Sequence, residues 1–323
     1  MQFIFSPTNN PYFNLAAEEY LLKNFKNDIC FIYINRPAVI VGKHQNALKE
    51  VNYAHLKSNN VPIIRRLSGG GTVYHDEGNI NFSFHQQVAD ITKVNYRDLL
   101  DPVRLAIENL GIEATFSKRN DILIGGKKIS GNAEHVFKKR LICHATLLFD
   151  TDLDELEEAI FTDESAYQGK AVKSVRSRVT NIVDHLKSTM DATEFSNYLL
   201  KFLMGKSGDG SQYNFSEEDN KAIEQLIDEK YSQWDWNFGY SPGYSIQREL
   251  TIGTKQINAL LEVKKGHVFS AFVTMNNEHD KSLTDFWMGK KHNEESTQEW
   301  LKMVDSNNEL AQEDLHQLVF ELM

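Results

Sequence analysis

The chain has 323 residues, 41% of them hydrophobic, with a formal net charge of −10 and two cysteines, Cys30 and Cys143. That acidic balance argues against a nucleic-acid-binding protein, and 25% charged residues with 11% aromatics carry no signature of disorder. Two thiols cannot build a disulfide framework in such a length, which suits a reducing, cytoplasmic setting, and neither a signal peptide nor a run of about 18 apolar residues is present.

In chain order, a helix is expected from about Asn14, with Leu15, Leu21 and Leu22 in its apolar stripe. Cys30 to Ile34 and Ala38 to Val41 read as buried strands flanking a turn at Asn35-Arg36-Pro37. Ile80, Phe82 and Phe84 alternate with Asn81, Ser83 and His85, the pattern of a half-buried strand. Asp101-Pro102 is expected to open a helix that Gly111 ends. Asn120 to Ile124 and Lys127 to Gly131 read as a hairpin turning on Gly125-Gly126. His144 to Phe149 is a further strand, and Asp152 begins an acidic helix. Trp234, Trp236, Phe238 and Tyr240 form an aromatic packing cluster before Ser241-Pro242-Gly243, where a boundary is expected. Strands at Ile257 to Val263 and Val268 to Val273, then helices, follow. The expected class is α/β (α+β): a mixed sheet flanked by helices over residues 1–243 and a small α+β domain over 244–323.

Three segments carry chemistry. In the first, Arg65-Arg66 precede Ser68 and three glycines, Gly69, Gly70 and Gly71, with Thr72, Val73, Tyr74, His75 and Asp76 after them. Glycines free the backbone to turn several N–H groups toward one anion, and the arginines add charge that can grip it. No Gly-Lys-Ser/Thr follows, and the glycines are contiguous, so this is neither a P-loop nor a dinucleotide fingerprint. A glycine-rich hairpin without a ligand fits the glycines alone as well; the flanking charges favour a site.

In the second segment, alternation beyond the Gly-Gly turn sets Lys128, Ser130 and Asn132 on one face, a polar row that suits a pocket wall. Lys128 could neutralise a phosphate and Asp121 could help hold Mg²⁺, although a solvated strand lysine is the plainer reading of Lys128 taken alone. In the third, Lys170, Lys173, Arg176 and Arg178 form a basic strip, either solvated or a loop closing over a nucleotide or an acidic partner, which Lys138, Lys139 and Arg140 could extend. Cys143 and His144 are adjacent on a strand and so face opposite ways; Cys143 reads as a core residue.

These segments resemble the lipoate–protein ligase A family. The resemblance rests on Arg65-Arg66-x-Ser68-Gly69-Gly70-Gly71-x-Val73-Tyr74-His75-Asp76, Arg119-Asn120-Asp121, Lys128-Ile129-Ser130-Gly131-Asn132-Ala133 and His144-x-Thr146-Leu147-Leu148. Lys173 to Asn181 and Trp234-x-Trp236-Asn237-Phe238-Gly239 extend it, so that it spans about Asn14 to Tyr240. Ala145 stands where the family usually has glycine.

The resemblance implies a fold related to biotin–protein ligases, and ATP, Mg²⁺ and lipoic acid as cofactors and substrate. It implies lipoyl-AMP as intermediate and lipoyl domains of dehydrogenase E2 subunits or glycine-cleavage H protein as acceptors, with no nucleic acid or membrane as partner. It further implies that Lys128 contacts both carboxyl and α-phosphate, and that Arg66, Gly71, Thr72, Val73 and Tyr74 form the nucleotide site. Arg66, Ser68, Gly69, Gly70 and His144 would shape the lipoyl tunnel, and Lys170, Lys173, Arg176 and Arg178 would lie on a loop covering the adenylate. An acyl transferase using Cys143, a biotin–protein ligase and a non-catalytic binder of lipoate or nucleotide are the alternatives.

Overall fold

A computed structural model describes residues 1–160, 166–305 and 310–323. Its centre is a six-stranded mixed sheet, in the order Asn132–Phe137, Arg140–Leu148, Asn79–Gln87, Ile29–Ile34, Gln2–Phe5, Ser211–Gln212. The last three strands run parallel to one another and the remaining pairs are antiparallel.

Period-two alternation decides which residue enters which layer. Cys30 and Ile32 join Phe82, Phe84 and Cys143 beneath the helices Tyr96–Asn109 and Ala192–Ser207. Phe31 and Tyr33 point the other way, onto the helix Pro11–Asn24. That helix starts three residues before the expected Asn14, because the Asn10 side chain accepts from Tyr12 N–H and Pro11 needs no donor there.

Two expectations are corrected. The helix expected to open at Asp101-Pro102 begins at Tyr96, capped by Asn95, and carries Pro102 in its interior. Its buried stripe of Leu100, Val103, Ala106 and Ile107 outweighs the one backbone hydrogen bond that proline forfeits. The strand expected to be half-buried, Asn79–Gln87, is covered on both faces: Asn79, Asn81, Ser83 and His85 are as inaccessible as Ile80 and Phe82. Burying such a polar row costs roughly 1–3 kcal/mol for each unpaired group. Sequence alternation alone could not show that it is roofed over.

Ala38–Val41 pairs parallel with Ile63–Arg65 and antiparallel with Val73–His75, which brings the glycine-rich loop between the latter two against Gly42. The hairpin Ile122–Ile124 and Lys127–Ser130 turns on Gly125 and Gly126, both at positive φ. The C-terminal part holds an antiparallel sheet of Tyr244–Ile252, Lys255–Lys264, His267–Met275 and Glu278–His279, packed on the helices Lys281–Trp287, Glu294–Val304 and Gln312–Leu322. Tyr167–Gly169 pairs with Tyr244–Ile252, so this sheet takes one strand from before residue 243. No helix among the described residues is long and apolar enough to cross a membrane.

Candidate active site

A cavity of about 380 Å³ opens between the central sheet, the glycine-rich loop and the basic segment that follows Gly169. Of the three glycines only Gly70 has positive φ, +84°. A Cβ on Gly42 would lie 2.2 Å from Gly70 O, and one on Gly71 would lie 3.2 Å from Ser174 Oγ. The glycines thus serve one left-handed residue and two close approaches.

The arginines divide the work. Arg66 lines the cavity and folds the loop: its Nη2 donates to Gly69 O and Gly71 O, both at 2.6 Å, and its Nη1 to Ile40 O at 3.0 Å. Arg65, one residue away on a strand, points to the opposite side, and its expected grip on an anion is corrected. It is completely buried and donates to Gly42 O, Lys43 O and Gln45 O on one side, and to Trp236 O, Asn237 O and Ser241 Oγ on the other. Burial pushes its pKa down to about 10, so it stays charged at neutral pH. It is a structural staple.

Lys128 Nζ reaches into the cavity and pairs with Asp121 at 3.0 Å. Room for its side chain comes from Gly131, whose Cβ would lie 3.1 Å from Lys128 Nζ. Asp121 also accepts from Ser117 Oγ at 3.0 Å and is the one carboxylate among the lining residues. The expected polar row is broken, which is a second correction at this site. The strand ends at Ser130, and a new strand in a different sheet starts at Asn132, so Lys128 and Asn132 line the cavity while Ser130 is buried away from it.

The basic segment roofs the cavity. Val172, Lys173, Ser174, Val175 and Ser177 line it; Lys170, Arg176 and Arg178 are exposed outside the lining. It is fastened at three points. Val172 N–H donates to His44 O at 3.3 Å, and Lys128 N–H donates to Arg178 O at 2.8 Å. Ser174 Oγ accepts from Thr72 N–H at 2.9 Å and from Gln45 Nε2 at 3.1 Å, and donates to Glu50. Burial holds the Glu50 carboxyl above the usual range, opposed by the Ser174 hydrogen bonds.

At the inner side, Ser68 Oγ accepts from Arg66 Nε at 3.0 Å and meets His144 Nε2 at 2.6 Å. His144 Nδ1 lies 2.8 Å from Glu18, which also accepts from Tyr33 OH at 3.1 Å. Ser68 therefore orients His144 from behind, while Gly70, Gly71, Thr72, Val73 and His144 line the cavity. The side chain of Tyr74 points away, into the hydrophobic cluster with Val39 and Val41. Cys143 faces the opposite core, and burial pushes its thiol up to about 12, so it offers no thiolate at neutral pH. Glu18, Tyr33, Gln45 and Glu50 escaped the sequence reading. The one available signal was Glu18-Glu19 set inside the apolar run Leu15-Ala16-Ala17 and Leu21-Leu22.

Asp121 stands without a carboxylate neighbour, and no group of three or more His, Cys, Asp or Glu side chains gathers among the described residues. A single lining carboxylate fits the one or two that a hydrated Mg²⁺ takes from a protein. Chemically, the cavity offers an anion a lysine ammonium under a roof that Ser174 fastens to the glycine-rich loop.

A sequence model of the lipoyl protein ligase A/B catalytic domain matches residues 10–204. The chain is similar to lipoate–protein ligase 1 of Staphylococcus aureus, 36% identical over 96% of each protein. Among solved structures, the bipartite lipoate–protein ligase of Thermoplasma acidophilum, described with its E2 lipoyl domain, superposes with a TM-score of 0.62 at 28% identity, covering 74% of this chain and 96% of that one. A lipoate–protein ligase A with ATP bound gives a TM-score of 0.62 at 28% identity, covering 74% of this chain and 98% of that one.

Proposed function

The chain belongs to the lipoate–protein ligase family and is a lipoate–protein ligase, and from that premise we propose that it works in two steps through an enzyme-bound lipoyl adenylate. In the first, a lipoate carboxylate oxygen attacks the α-phosphorus of ATP and pyrophosphate leaves. In the second, the ε-amine of an acceptor lysine attacks the acyl carbon of the mixed anhydride, loses a proton, and AMP leaves with the bonding pair. The observation that carries this reading is the placement of Lys128 Nζ inside a cavity walled by the glycine-rich loop and roofed by the Ser174 segment.

Lys128 offsets the charge that builds where carboxylate and α-phosphate meet, and Asp121 holds the ammonium in place. Arg66, Gly71, Thr72, Val73 and Tyr74 hold the nucleotide, with Tyr74 acting through its backbone because its side chain is turned away. Arg66, Ser68, Gly69, Gly70 and His144 shape the lipoyl chamber. Asp121 would also hold a Mg²⁺ arriving with the phosphates, which would supply further charge neutralisation there. Lys173 and its exposed neighbours Lys170, Arg176 and Arg178 close the roof, keeping water from hydrolysing the anhydride. An ATP-bound ligase and one described with an E2 lipoyl domain support ATP as co-substrate and an E2 lipoyl domain as acceptor; glycine-cleavage H protein is the other acceptor proposed.

Lys128→Ala is the test. Lipoate-dependent pyrophosphate release is expected to fall on the order of 10²–10³-fold, with an unchanged thermal melt. Near-normal release would overturn the role of Lys128.

A further inference from the structure

Two buried polar side chains in the cavity wall have no part in adenylation. His75 and Asn81 are 3% and 2% exposed, both line the cavity, and His75 Nε2 and Asn81 Nδ2 meet no hydrogen-bond partner among the described residues. The proton on His75 is assigned by a relay that starts at two backbone carbonyls. Asn14 Nδ2 donates to Thr8 O at 3.2 Å and Ile34 O at 3.4 Å, which settles which end of that amide is nitrogen. The same nitrogen donates to Asn35 Oδ1 at 2.7 Å, so Asn35 turns its own Nδ2 to His75 Nδ1, 2.9 Å away. A ring nitrogen that accepts carries no proton. Burial, with Arg66 and His144 nearby, pushes the ring's pKa down to about 3, so it is neutral and its single proton sits on Nε2. Asn81 Oδ1 accepts from Asn79 Nδ2 at 3.0 Å, with Asn79 Oδ1 and Asn81 Nδ2 both left over; the pair is equally satisfied with both amides turned round, so His75 Nε2–H is the donor that the hydrogen bonds fix.

Both line the same cavity as Lys128. Across the sheet, Thr146 stands opposite Asn81, which stands opposite Tyr33, and Gly131 N–H donates to Thr146 Oγ1 beside the Lys128 ammonium. Two strand spacings, ~10 Å, separate the Gly131 end from Asn81. An acid whose carboxylate meets Lys128 therefore runs its chain toward His75 and Asn81. Apolar walls discriminate chains of equal length weakly, whereas a wall with unpaired donors penalises a chain that has nothing to accept them.

We propose that His75 Nε2–H, with the Asn81 amide turned so that its Nδ2–H faces the cavity, forms a lone-pair-reading wall that favours acyl chains with a distal sulfur acceptor, such as a dithiolane, over plain alkyl chains. Asn14 and Asn35 are positioning residues that set the His75 tautomer. The inference rests on the acyl-binding reading given above. It is tested first on the wild-type chain by ¹⁵N-histidine NMR at neutral pH. The Nε2-protonated ring is expected, with its Nε2–H resonance shifted by added lipoate and unmoved by octanoate. Asn35→Asp, whose carboxylate must accept from Nδ1–H, is expected to move the proton to Nδ1. Asn81→Leu is expected to lower the lipoate-to-octanoate ratio of kcat/KM in ATP–pyrophosphate exchange about tenfold, mainly by improving octanoate. An Nδ1-protonated wild-type ring, an equal response to both acids, or an unchanged ratio in folded Asn81→Leu would overturn the proposal. Wild-type protein with no exchange on either acid would instead defeat the adenylation reading, and the NMR response would still decide this one.

Discussion

Arg65→Met removes a buried cation that meets no carboxylate among the described residues. Six side-chain hydrogen bonds vanish, three to the 42–45 loop and three to the 236–241 segment. Each acceptor left dry costs roughly 1–3 kcal/mol, but Gly42 O keeps its bond from Gln45 N–H, and entering water serves others. Removing the guanidinium also relieves its own desolvation, which is several kcal/mol. The balance is a net loss of about 2–3 kcal/mol, a large share of the roughly 5–15 kcal/mol that holds a typical domain. Urea unfolding at neutral pH measures it as a fall in the midpoint with little change in slope. Arg65→Lys is expected to recover only a minor part, because an ammonium cannot span both segments as the planar fork does. A change below about 1 kcal/mol in Arg65→Met would refute the staple.

Gly42→Ala drives a Cβ to 2.2 Å from Gly70 O. It is expected to cost about 1–3 kcal/mol in stability and to raise the KM for ATP; an unchanged KM would separate Gly42 from the glycine-rich loop. His75, His85 and His292 are each pushed down to about 3 by burial. The unfolded chain, with histidines near pKa 6.5, binds protons that the folded chain refuses, so stability is full above that pH and lost as pH falls toward about 3. Between pH 7 and 5 the loss is about 2 kcal/mol per ring, partly offset by Glu50 and Asp76, whose raised pKa values act in the opposite sense. Equal urea midpoints at pH 7 and 5 would contradict the buried neutral rings.

Local chemistry was legible wherever one residue dictates one conformation. Gly125-Gly126 announced a turn and delivers positive φ twice. The adjacent pair Cys143 and His144 parted by strand alternation, one to the core and one to the cavity. The same alternation separates Arg65 from Arg66, and applying it there would have withdrawn Arg65 from the anion site. Pro102 misled because helix-start statistics do not see a buried stripe continuing back to Leu100. The polar row of Asn79, Asn81, Ser83 and His85 could not be placed at all. Its burial is decided by the helix Pro11–Asn24, which packs against this strand from far earlier in the sequence. Ser174 lies in a motif that was read for its charges, whereas its hydroxyl is what fastens the roof to Thr72 and Gln45.

The most direct test of the central claim is ATP–pyrophosphate exchange by the purified protein with Mg²⁺, with lipoate present or omitted and no acceptor added. Exchange that appears only with lipoate is expected, since the carboxylate, ATP and Lys128 are brought together before any acceptor lysine arrives. Absence of exchange by folded protein that still lipoylates an acceptor domain would contradict a free-standing adenylation step.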